Sequence, residues 1–229
     1  MTNIYELIGV IIGDGSILYN PKKYLYRLEI AGNYTEDYKY FLKLSQIILE
    51  ISGNKPKIRF REHKLGRSIT LYIDNKNFVE YLINELQLPY GKKTFSVKIP
   101  DKFLSWRYSR HIIRGIFESD GCLYFSKSKV NKYPTYPRIE IRTSSDKLKE
   151  QIVTILKNKK FNVQTLKLRT NKIYLSGEFM LKKWLNEIGI NNPKNISKYL
   201  IWKKQGYYVP KCTLNERENL LNSNLADLY

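Results

Sequence analysis

Two aspartates, Asp14 and Asp120, stand in the same local pattern in the two halves of the chain. Each ends a largely apolar run and is followed by glycine, in LIGVIIGDG at residues 7–15 and in IRGIFESDG at residues 113–121. A carboxylate at the point where a buried run stops is a candidate for acid–base chemistry or for binding a hard cation. A single Asp-Gly pair most often starts a turn, so it is the repetition that favours chemistry.

Both aspartates are predicted to lie at the C-terminal ends of short helices, at about 3–13 and 109–119. Each helix carries two small residues four positions apart, on one helix face. These are Gly9 and Gly13 in the first helix, and Gly115 and Ser119 in the second. We therefore expect the helices to pack almost backbone to backbone, with Asp14 and Asp120 side by side.

A pair of carboxylates at two helix C-termini is electrostatically unfavourable. The helix end carries partial negative charge and unpaired carbonyl groups, and the two acids repel each other. A positive group should offset this charge, and a divalent cation fits best. It would be bound by both carboxylates and by the backbone carbonyl groups of Gly13 and Ser119. The glycine after each acid suits a left-handed helix cap.

The surrounding elements recur in the same order, which predicts an α+β fold built from two pseudo-symmetric α-β-β-α-β-β-α repeats. The middle helices are predicted to begin at Thr35 and Ser145 as N-caps, and the first of them to end at Gly53. The predicted divisions are a first repeat at 1–88, a linker at 89–108, a second repeat at 109–208 and a tail at 209–229. For the tail, a packed helix and a loose end are both open.

The chain has 229 residues and is strongly basic, with 40 lysine and arginine residues against 21 acidic residues and a formal net charge of +19. This excess favours a polyanionic partner, and a nucleic acid more than an anionic membrane surface. No apolar stretch approaches the roughly 20 residues of a membrane span, and the N-terminus has no features of a signal peptide. A basic protein with a merely solvated surface is the alternative.

The few cysteines and histidines argue against a zinc site or a histidine-based triad. Cys122 and Cys212 cannot form a metal cluster, and His63 and His111 lack partners at ligand spacing. Both cysteines are expected to be reduced packing residues. We therefore expect a reducing compartment, cytoplasmic or organellar, and no secretion.

At the two aspartate motifs the sequence resembles the LAGLIDADG homing endonucleases, in their single-chain, double-motif form. Gly9 and Gly115, the two acids and the final glycines match that signature, and the other positions hold mostly apolar or small residues. The resemblance spans about residues 3 to 205. It implies a saddle of two four-stranded antiparallel sheets that lies in the major groove of double-stranded DNA, with the motif helices between them. It also implies a monomer that needs no protein partner.

The resemblance further implies that the acids bind Mg²⁺ and hydrolyse one phosphodiester in each strand, leaving short 3′ overhangs. It places a basic residue near each acid, late in each repeat, where Lys92 and Lys198 occupy corresponding positions. Neighbouring lysines leave this choice open: Lys93, Lys98 and Lys194. A polar side chain is also expected where the second strand of each repeat ends, and Asn33 and Ser144 are the candidates.

Strand alternation selects the side chains that would face DNA, in preference to an ordinary solvated sheet face. In the first repeat these are Arg27, Glu29, Lys57, Arg59, Arg61, Ser68, Thr70 and Tyr72. In the second they are Arg138, Glu140, Arg142, Lys167, Arg169, Lys172 and Tyr174. Arginine and glutamate on one strand face suit the edges of guanine and cytosine. Lysine-rich loops at 20–24 and 127–137 are expected to contact phosphates.

The leading hypothesis is a Mg²⁺-dependent, site-specific double-strand DNA endonuclease encoded within an intron. An intein origin is disfavoured, because the chain begins at Met1 and lacks residues typical of splicing at its ends. The alternative from a different class is an RNA maturase, or a DNA-binding regulator without catalysis, on the same scaffold. A generic basic structural protein ranks third. The presence of both aspartates favours the nuclease.

Overall fold

The computed structural model describes residues 3–63, 66–127, 129, 132–167 and 169–226. Within that part of the chain, the first repeat has the predicted order of elements. They are α1 (Asn3–Ile12), β1 (Gly15–Asn20), β2 (Leu25–Asn33), α2 (Tyr34–Ser52), β3 (Lys57–His63), β4 (Gly66–Asp74) and α3 (Lys76–Glu80). α3 continues as a π-helical turn over Tyr81–Glu85.

The second repeat has the same order. Its elements are α4 (Trp106–Asp120), β5 (Gly121–Ser126), β6 (Tyr136–Thr143), α5 (Asp146–Asn158), β7 (Gln164–Lys167), β8 (Asn171–Ser176) and α6 (Glu178–Glu187). Two more helices follow, α7 (Pro193–Gln205) and α8 (Leu214–Ala226). The predicted α+β architecture of two αββαββα repeats is confirmed.

Each repeat forms a four-stranded antiparallel sheet, in the order β1-β2-β4-β3 and β5-β6-β8-β7. In the first sheet, Leu28 on β2 lies opposite Ile17 on β1 and Ile73 on β4, and all three side chains are buried. In the second, Ile139 lies between Leu123 and Leu175 in the same way. One face of each sheet is therefore core. We call the opposite face, which carries the alternate residues, the open face.

α1 and α4 pack against each other at the centre of the molecule, as the small residues predict. A Cβ atom on Gly9 would lie 2.0 Å from the carbonyl oxygen of Ile112, and one on Gly115 would lie 2.1 Å from that of Glu6. Neither backbone can move away without separating the helices. Only glycine allows this approach, so the predicted close packing is confirmed.

The glycines after the two aspartates have a different role from the predicted one. Gly121 has an extended backbone, with φ −113° and ψ 173°, and Gly15 is not among the glycines with positive φ. Gly121 begins β5 directly after α4, and Gly15 begins β1 after a two-residue turn that follows α1, so each strand passes close to the last helical turn. A Cβ on Gly15 would lie 2.5 Å from the Cα of Ile11, and one on Gly121 would lie 2.6 Å from the carbonyl oxygen of Phe117. The prediction that these glycines form left-handed helix caps was wrong. Glycine is required at both positions because a Cβ atom would clash with the preceding helix.

The N-cap of α2 lies two residues before the predicted one. The side-chain oxygen of Asn33 accepts hydrogen bonds from the backbone N–H groups of Thr35 and Glu36, so Asn33 is the cap and Thr35 lies inside the helix. The predicted cap Ser145 is confirmed, because its hydroxyl accepts from the backbone N–H of Leu148. Gly53 ends α2 with φ 71°, as predicted.

The tail is a packed helix. Arg217 of α8 is 1% exposed; its Nε donates to the hydroxyl of Ser197 on α7 at 2.9 Å, and Nη2 pairs with Glu36 of α2. The backbone N–H of Leu214 donates to the same glutamate at 3.0 Å. α8 therefore joins the helix after the second repeat to a helix of the first. Among the described residues, no helix is long and apolar enough to cross a membrane.

Candidate functional site

The close packing of α1 and α4 brings the two aspartates into one site. Asp120 is the last residue of α4, and Asp14 follows α1 after Gly13. A Cβ on Gly13 would lie 2.1 Å from the hydroxyl of Ser119 and 3.2 Å from Oδ2 of Asp120. The carboxylate of Asp120 therefore lies directly beside the backbone that precedes Asp14. The structure thus brings together the four residues that the sequence assigns to metal binding.

The environment of both carboxylates disfavours their ionised form. Partial burial raises the pKa of Asp14, and the negative charge of Asp37 adds to this, whereas Lys194 and Lys93 lower it. Burial, and then the charge of Asp14, raise the pKa of Asp120 to about 6. Both side chains nevertheless keep an exposed surface. Solvent and incoming ions therefore reach the carboxylates and screen part of the repulsion between them.

Lys93 provides the positive group at the helix end. Its ammonium donates to three carbonyl oxygens at the C-terminus of α1, at 2.7 Å to Ile12 and 3.2 Å to Gly13, with the third contact to Ile11. A cation is favourable at a helix C-terminus. Burial lowers the pKa of Lys93 to about 8, and the charges of Asp120 and Asp14 partly offset that effect.

The structure places the predicted lysines Lys92 and Lys198 elsewhere. Lys92 is exposed, and its neighbour Lys93 enters the site instead. The surroundings of Lys198 are Cys122, Arg217, Lys194 and Glu36 rather than either aspartate of the pair. The two segments that follow the repeats differ, being an irregular linker after the first repeat and helix α7 after the second. Equal spacing from the two acids therefore does not give equal positions.

Lys194 is the lysine of α7 that acts on the aspartate pair. It lowers the pKa of both Asp14 and Asp120, and its ammonium pairs with Oδ1 of Asp37 at 2.9 Å. Asp37 is buried and also accepts from Asn192 Nδ2 at 2.9 Å. The sequence does not single out either residue. Lys194 is one of several neighbouring lysines, and Asp37 is an acid in the first turn of α2, where acids are common.

A buried glutamate holds α7 against the motif helix α4. Glu118 accepts from the backbone N–H of Asn191 at 2.5 Å and from Asn195 Nδ2 at 2.8 Å. Burial raises the pKa of Glu118, and these hydrogen bonds offset part of that effect, which leaves the pKa at about 7. Because Glu118 lies two residues before Asp120, the network sets the position of Lys194 relative to the acid pair.

A cavity of about 270 Å³ opens on the linker side of the aspartate pair. It is lined by Lys93, Asp120, Arg142 and Ser144. Ser144 is the polar residue that the sequence predicts at the end of the second strand of the second repeat. The other such candidate, Asn33, lines a second cavity together with lysines of α7 and of the segment before α8. Asp120 therefore lines one basic recess, and the residue after it, Gly121, lines another.

The donor set suits a hard divalent cation that keeps part of its hydration shell. Asp14 and Asp120 supply carboxylate oxygens, and the described residues contain no cluster of three or more histidine, cysteine, aspartate or glutamate side chains that could hold a metal ion. Mg²⁺ is typically bound in proteins by one or two carboxylates, with water and substrate phosphates completing the shell. The carbonyl group of Gly13 is shared with Lys93, and Ser119 uses its hydroxyl to bond its own helix.

The open face of the first sheet carries the eight side chains that alternation predicted. The pairing register aligns Arg27, Glu29, Lys57, Arg59, Arg61, Ser68, Thr70 and Tyr72 on that face. Arg27 and Arg59 stack on the ring of Tyr72, with guanidinium carbons 4.9 Å and 4.7 Å from its centroid. Arg27 also pairs with Asp74, an acid that alternation did not select, at 2.5 Å and 2.8 Å.

On the second sheet the register aligns Arg138, Glu140, Arg142, Lys172 and Tyr174 on the open face. Glu140 is 3% exposed and pairs with Arg142 at 2.6 Å and Lys172 at 2.8 Å. Arg169, in the turn before β8, lines a cavity of about 560 Å³ with the same two cations.

Lys167 is the exception among the predicted open-face residues. It pairs with Asn171 across β7 and β8, and its ammonium lies 3.2 Å from Asp146 at the start of α5. Lys167 therefore points to the helical side, and Leu166 takes the open face. The alternation failed here because β7 is a short edge strand, in which an exposed leucine is tolerated.

No family model matches the sequence, and no curated protein matches it. The fold is similar to solved structures of LAGLIDADG proteins. The homing endonuclease I-WcaI bound to its DNA recognition sequence aligns with a TM-score of 0.57 at 16% identity, over 82% of this chain and 80% of that one. Mesophilic variants of the homing endonuclease I-DmoI align with a TM-score of 0.56 at 20% identity, over 82% and 94% of the chains.

The N-terminal LAGLIDADG domain of DUF199/WhiA aligns with a TM-score of 0.51 at 16% identity, over 83% of this chain and 82% of that one. Similarity at these identities concerns the arrangement of the backbone. It covers both of the repeats described above. The chain has the LAGLIDADG fold in its two-repeat form.

Proposed function

We propose that this protein is a divalent-cation-dependent, site-specific double-strand DNA endonuclease. One observation carries the proposal: Asp14 and Asp120, at matching positions of the two repeats, converge where the motif helices end, between two sheets with charged, largely basic open faces. Two acids in one chain provide one site for each DNA strand, so a monomer suffices. Proteins of the same fold support this proposal, since I-DmoI has been solved in complex with DNA and Mn.

Asp14 and Asp120, with the carbonyl groups of Gly13 and Ser119, would hold Mg²⁺. When bound, Mg²⁺ lowers the pKa of a water molecule and offsets the charge on the phosphodiester oxygens. The raised pKa values of the acids are consistent with this assignment, because a nearby cation would stabilise both carboxylates. We expect one phosphodiester to be hydrolysed in each strand, with short 3′ overhangs.

Lys93 would stabilise negative charge that develops on the phosphate. Its ammonium is already held by the C-terminal carbonyl groups of α1, so no reorganisation is needed at the moment of reaction. With a pKa of about 8, the group is mostly protonated at neutral pH. Lys194, fixed by Asp37, would serve on the other side of the acid pair.

The open faces would read the DNA sequence in the major groove. An arginine can donate two hydrogen bonds to guanine, and a glutamate can accept from cytosine. In the first sheet, Arg27 and Arg59 are stacked on Tyr72 and lie 3.3 Å and 3.7 Å from Glu29, so their guanidinium groups are held in place before DNA arrives. Such preorganisation reduces the entropy cost of specific contacts.

The test uses duplex DNA that joins the two flanks of the intron in which the reading frame is expected to lie. The wild-type protein, Asp14→Asn and Asp120→Asn are incubated with this duplex in Mg²⁺ or in EDTA, and the product ends are mapped. We expect double-strand cleavage only by the wild type in Mg²⁺, with binding retained by both variants. Asp101→Asn, which changes an exposed acid remote from the motifs, is the control.

Cleavage by both motif variants at the wild-type rate would remove the site assignment. If the duplex remains intact in Mg²⁺ while splicing of the intron RNA accelerates, the maturase alternative is correct. Tight binding without either activity would indicate a DNA-binding regulator.

A further inference from the structure

A cavity of about 540 Å³ lies along the edge strand β5, on the α7 side of the aspartate pair. Its walls come from the start of α2, from β5, from α7 and from the segment that leads into α8. Gly121, the residue after Asp120, is part of the lining, and so is Asn33 at the end of β2. The cavity therefore borders the candidate site without including its carboxylates.

The cavity has more positive than negative side chains. The four cations that line it are Lys194, Lys198, Lys211 and Arg217. The two acids in the lining are already used within the protein, since Asp37 pairs with Lys194 at 2.9 Å and Glu36 pairs with Arg217. Lys198 and Lys211 form no ion pair with the residues that the structure describes.

Of the four lining cations, Lys198 is the one for which the lack of an ion pair is most unusual. Its side chain is half-buried, and burial lowers its pKa. The charges of Cys122 and Glu36 partly offset this effect, whereas the positive charges of Arg217 and Lys194 add to it. Burying a cation without an ion-pair partner is unfavourable. Asn33 adds a neutral donor, because its side-chain oxygen caps α2 and its amide group is left to donate.

We propose that this cavity binds a phosphate group, held by Lys198 and Lys211 and by the amide of Asn33. The proposal rests on the proposed function for its expected ligand, a backbone phosphate of DNA next to the cleavage site. Free phosphate, or the phosphate of a small nucleotide, has the same chemistry. Lysine ammonium groups and amide N–H groups are the usual donors to phosphate oxygens.

The first experiment measures the affinity for a non-specific DNA duplex at several salt concentrations, in EDTA so that no cleavage occurs. Each phosphate contact contributes about one unit to the slope of log affinity against log salt. We expect Lys198→Gln to reduce the magnitude of the slope by about one. Lys203→Gln, on the same helix α7 but packed over Tyr199, is the matched control and should leave the slope unchanged.

Lys211→Gly provides a second variant that protects the fold. Lys211 has a left-handed backbone with φ 66°, which glycine adopts without strain, so the ammonium is removed without destabilising the segment. The same reduction of the slope is expected. A loss seen with Lys198→Gln alone, together with a lowered melting temperature, would indicate a structural role and would count against the proposal.

The second experiment titrates inorganic phosphate into the DNA-free protein by calorimetry, against chloride at equal ionic strength. Phosphate binding that is lost in both pocket variants, with unchanged DNA slopes, would assign the cavity to a free phosphate. Reduced slopes would assign it to the DNA backbone. Unchanged slopes together with no phosphate binding would overturn the proposal. Neither experiment needs cleavage, so an inactive nuclease would leave this result unaffected.

Discussion

The ammonium of Lys93 lies 2.7 Å from the carbonyl oxygen of Ile12, where α1 ends two residues before Asp14. It occupies the position at which a positive charge is favoured by a helix C-terminus and by two carboxylates. Lys93 therefore offsets the negative charge of the helix end and of the two carboxylates, as a bound divalent cation would. It does so before a substrate arrives.

Replacing Lys93 by methionine should reduce the rate of DNA cleavage by about 100-fold or more, with little effect on DNA affinity. The reason is that a preorganised donor to the developing charge is lost, while the open faces remain intact. Single-turnover cleavage and equilibrium binding measure the two effects separately. Lys92→Met, which changes the exposed neighbour, should cleave normally, and the reverse ranking would contradict the assignment.

Replacing Asp120 by asparagine should stabilise the fold in EDTA at pH 8. The folded-state pKa of about 6 lies above the ordinary value of 3.8, so the ionised carboxylate opposes folding at any pH above about 6. That penalty declines as the pH falls from about 6 to about 4. The full shift corresponds to about 3 kcal/mol, and because the group is exposed we expect about 1 kcal/mol.

Urea denaturation of the wild type and Asp120→Asn at pH 8 and at pH 4 measures this difference. It should be present at pH 8 and largely lost at pH 4. Adding Mg²⁺ should stabilise the wild type but not the variant. Equal stability of the two proteins at pH 8 in EDTA would show that the carboxylate is not desolvated in the folded state.

Replacing Gly115 by alanine should lower the free energy of unfolding by about 3 kcal/mol or more, because the new Cβ would lie 2.1 Å from a backbone oxygen on the facing helix. Gly91→Ala is the control. It faces open space at φ 70°, so only a left-handed backbone penalty of about 1–2 kcal/mol applies. Equal losses in urea denaturation would contradict the backbone-to-backbone packing.

Lys57 and Lys167 should differ in their effect on DNA binding, although alternation assigned both to the DNA side. Lys57 lies on the open face, opposite Tyr72, whereas Lys167 pairs with Asp146 on the helical side. We expect Lys57→Ala to reduce the slope of log affinity against log salt by about one, and Lys167→Ala to leave it unchanged. Similar slopes for both variants would contradict the assignment of faces.

Local patterns in the chain were enough to predict the repeat, the meeting of the two motif helices and most of the open-face side chains. The open-face side chains follow from the two-residue period of a strand, and the repeat follows from the recurring order of elements. The contact between the motif helices follows from a steric limit that only glycine meets. Residues two apart on a strand share a face, and Gly9 and Gly115 can pack where no larger residue fits. The placement of Asp14 beside Asp120 follows from the repeat and from this close packing together.

The identity of the lysines that approach the acids depends instead on long-range packing. Lys92 and Lys93 are adjacent and chemically identical, and the choice between them depends on how an irregular linker meets the end of α1. Lys194 and Lys198 are one helical turn apart on α7, and their surroundings are set by buried contacts such as that of Glu118 with Asn195. Such contacts join residues far apart in the chain, so no period in the sequence reports them.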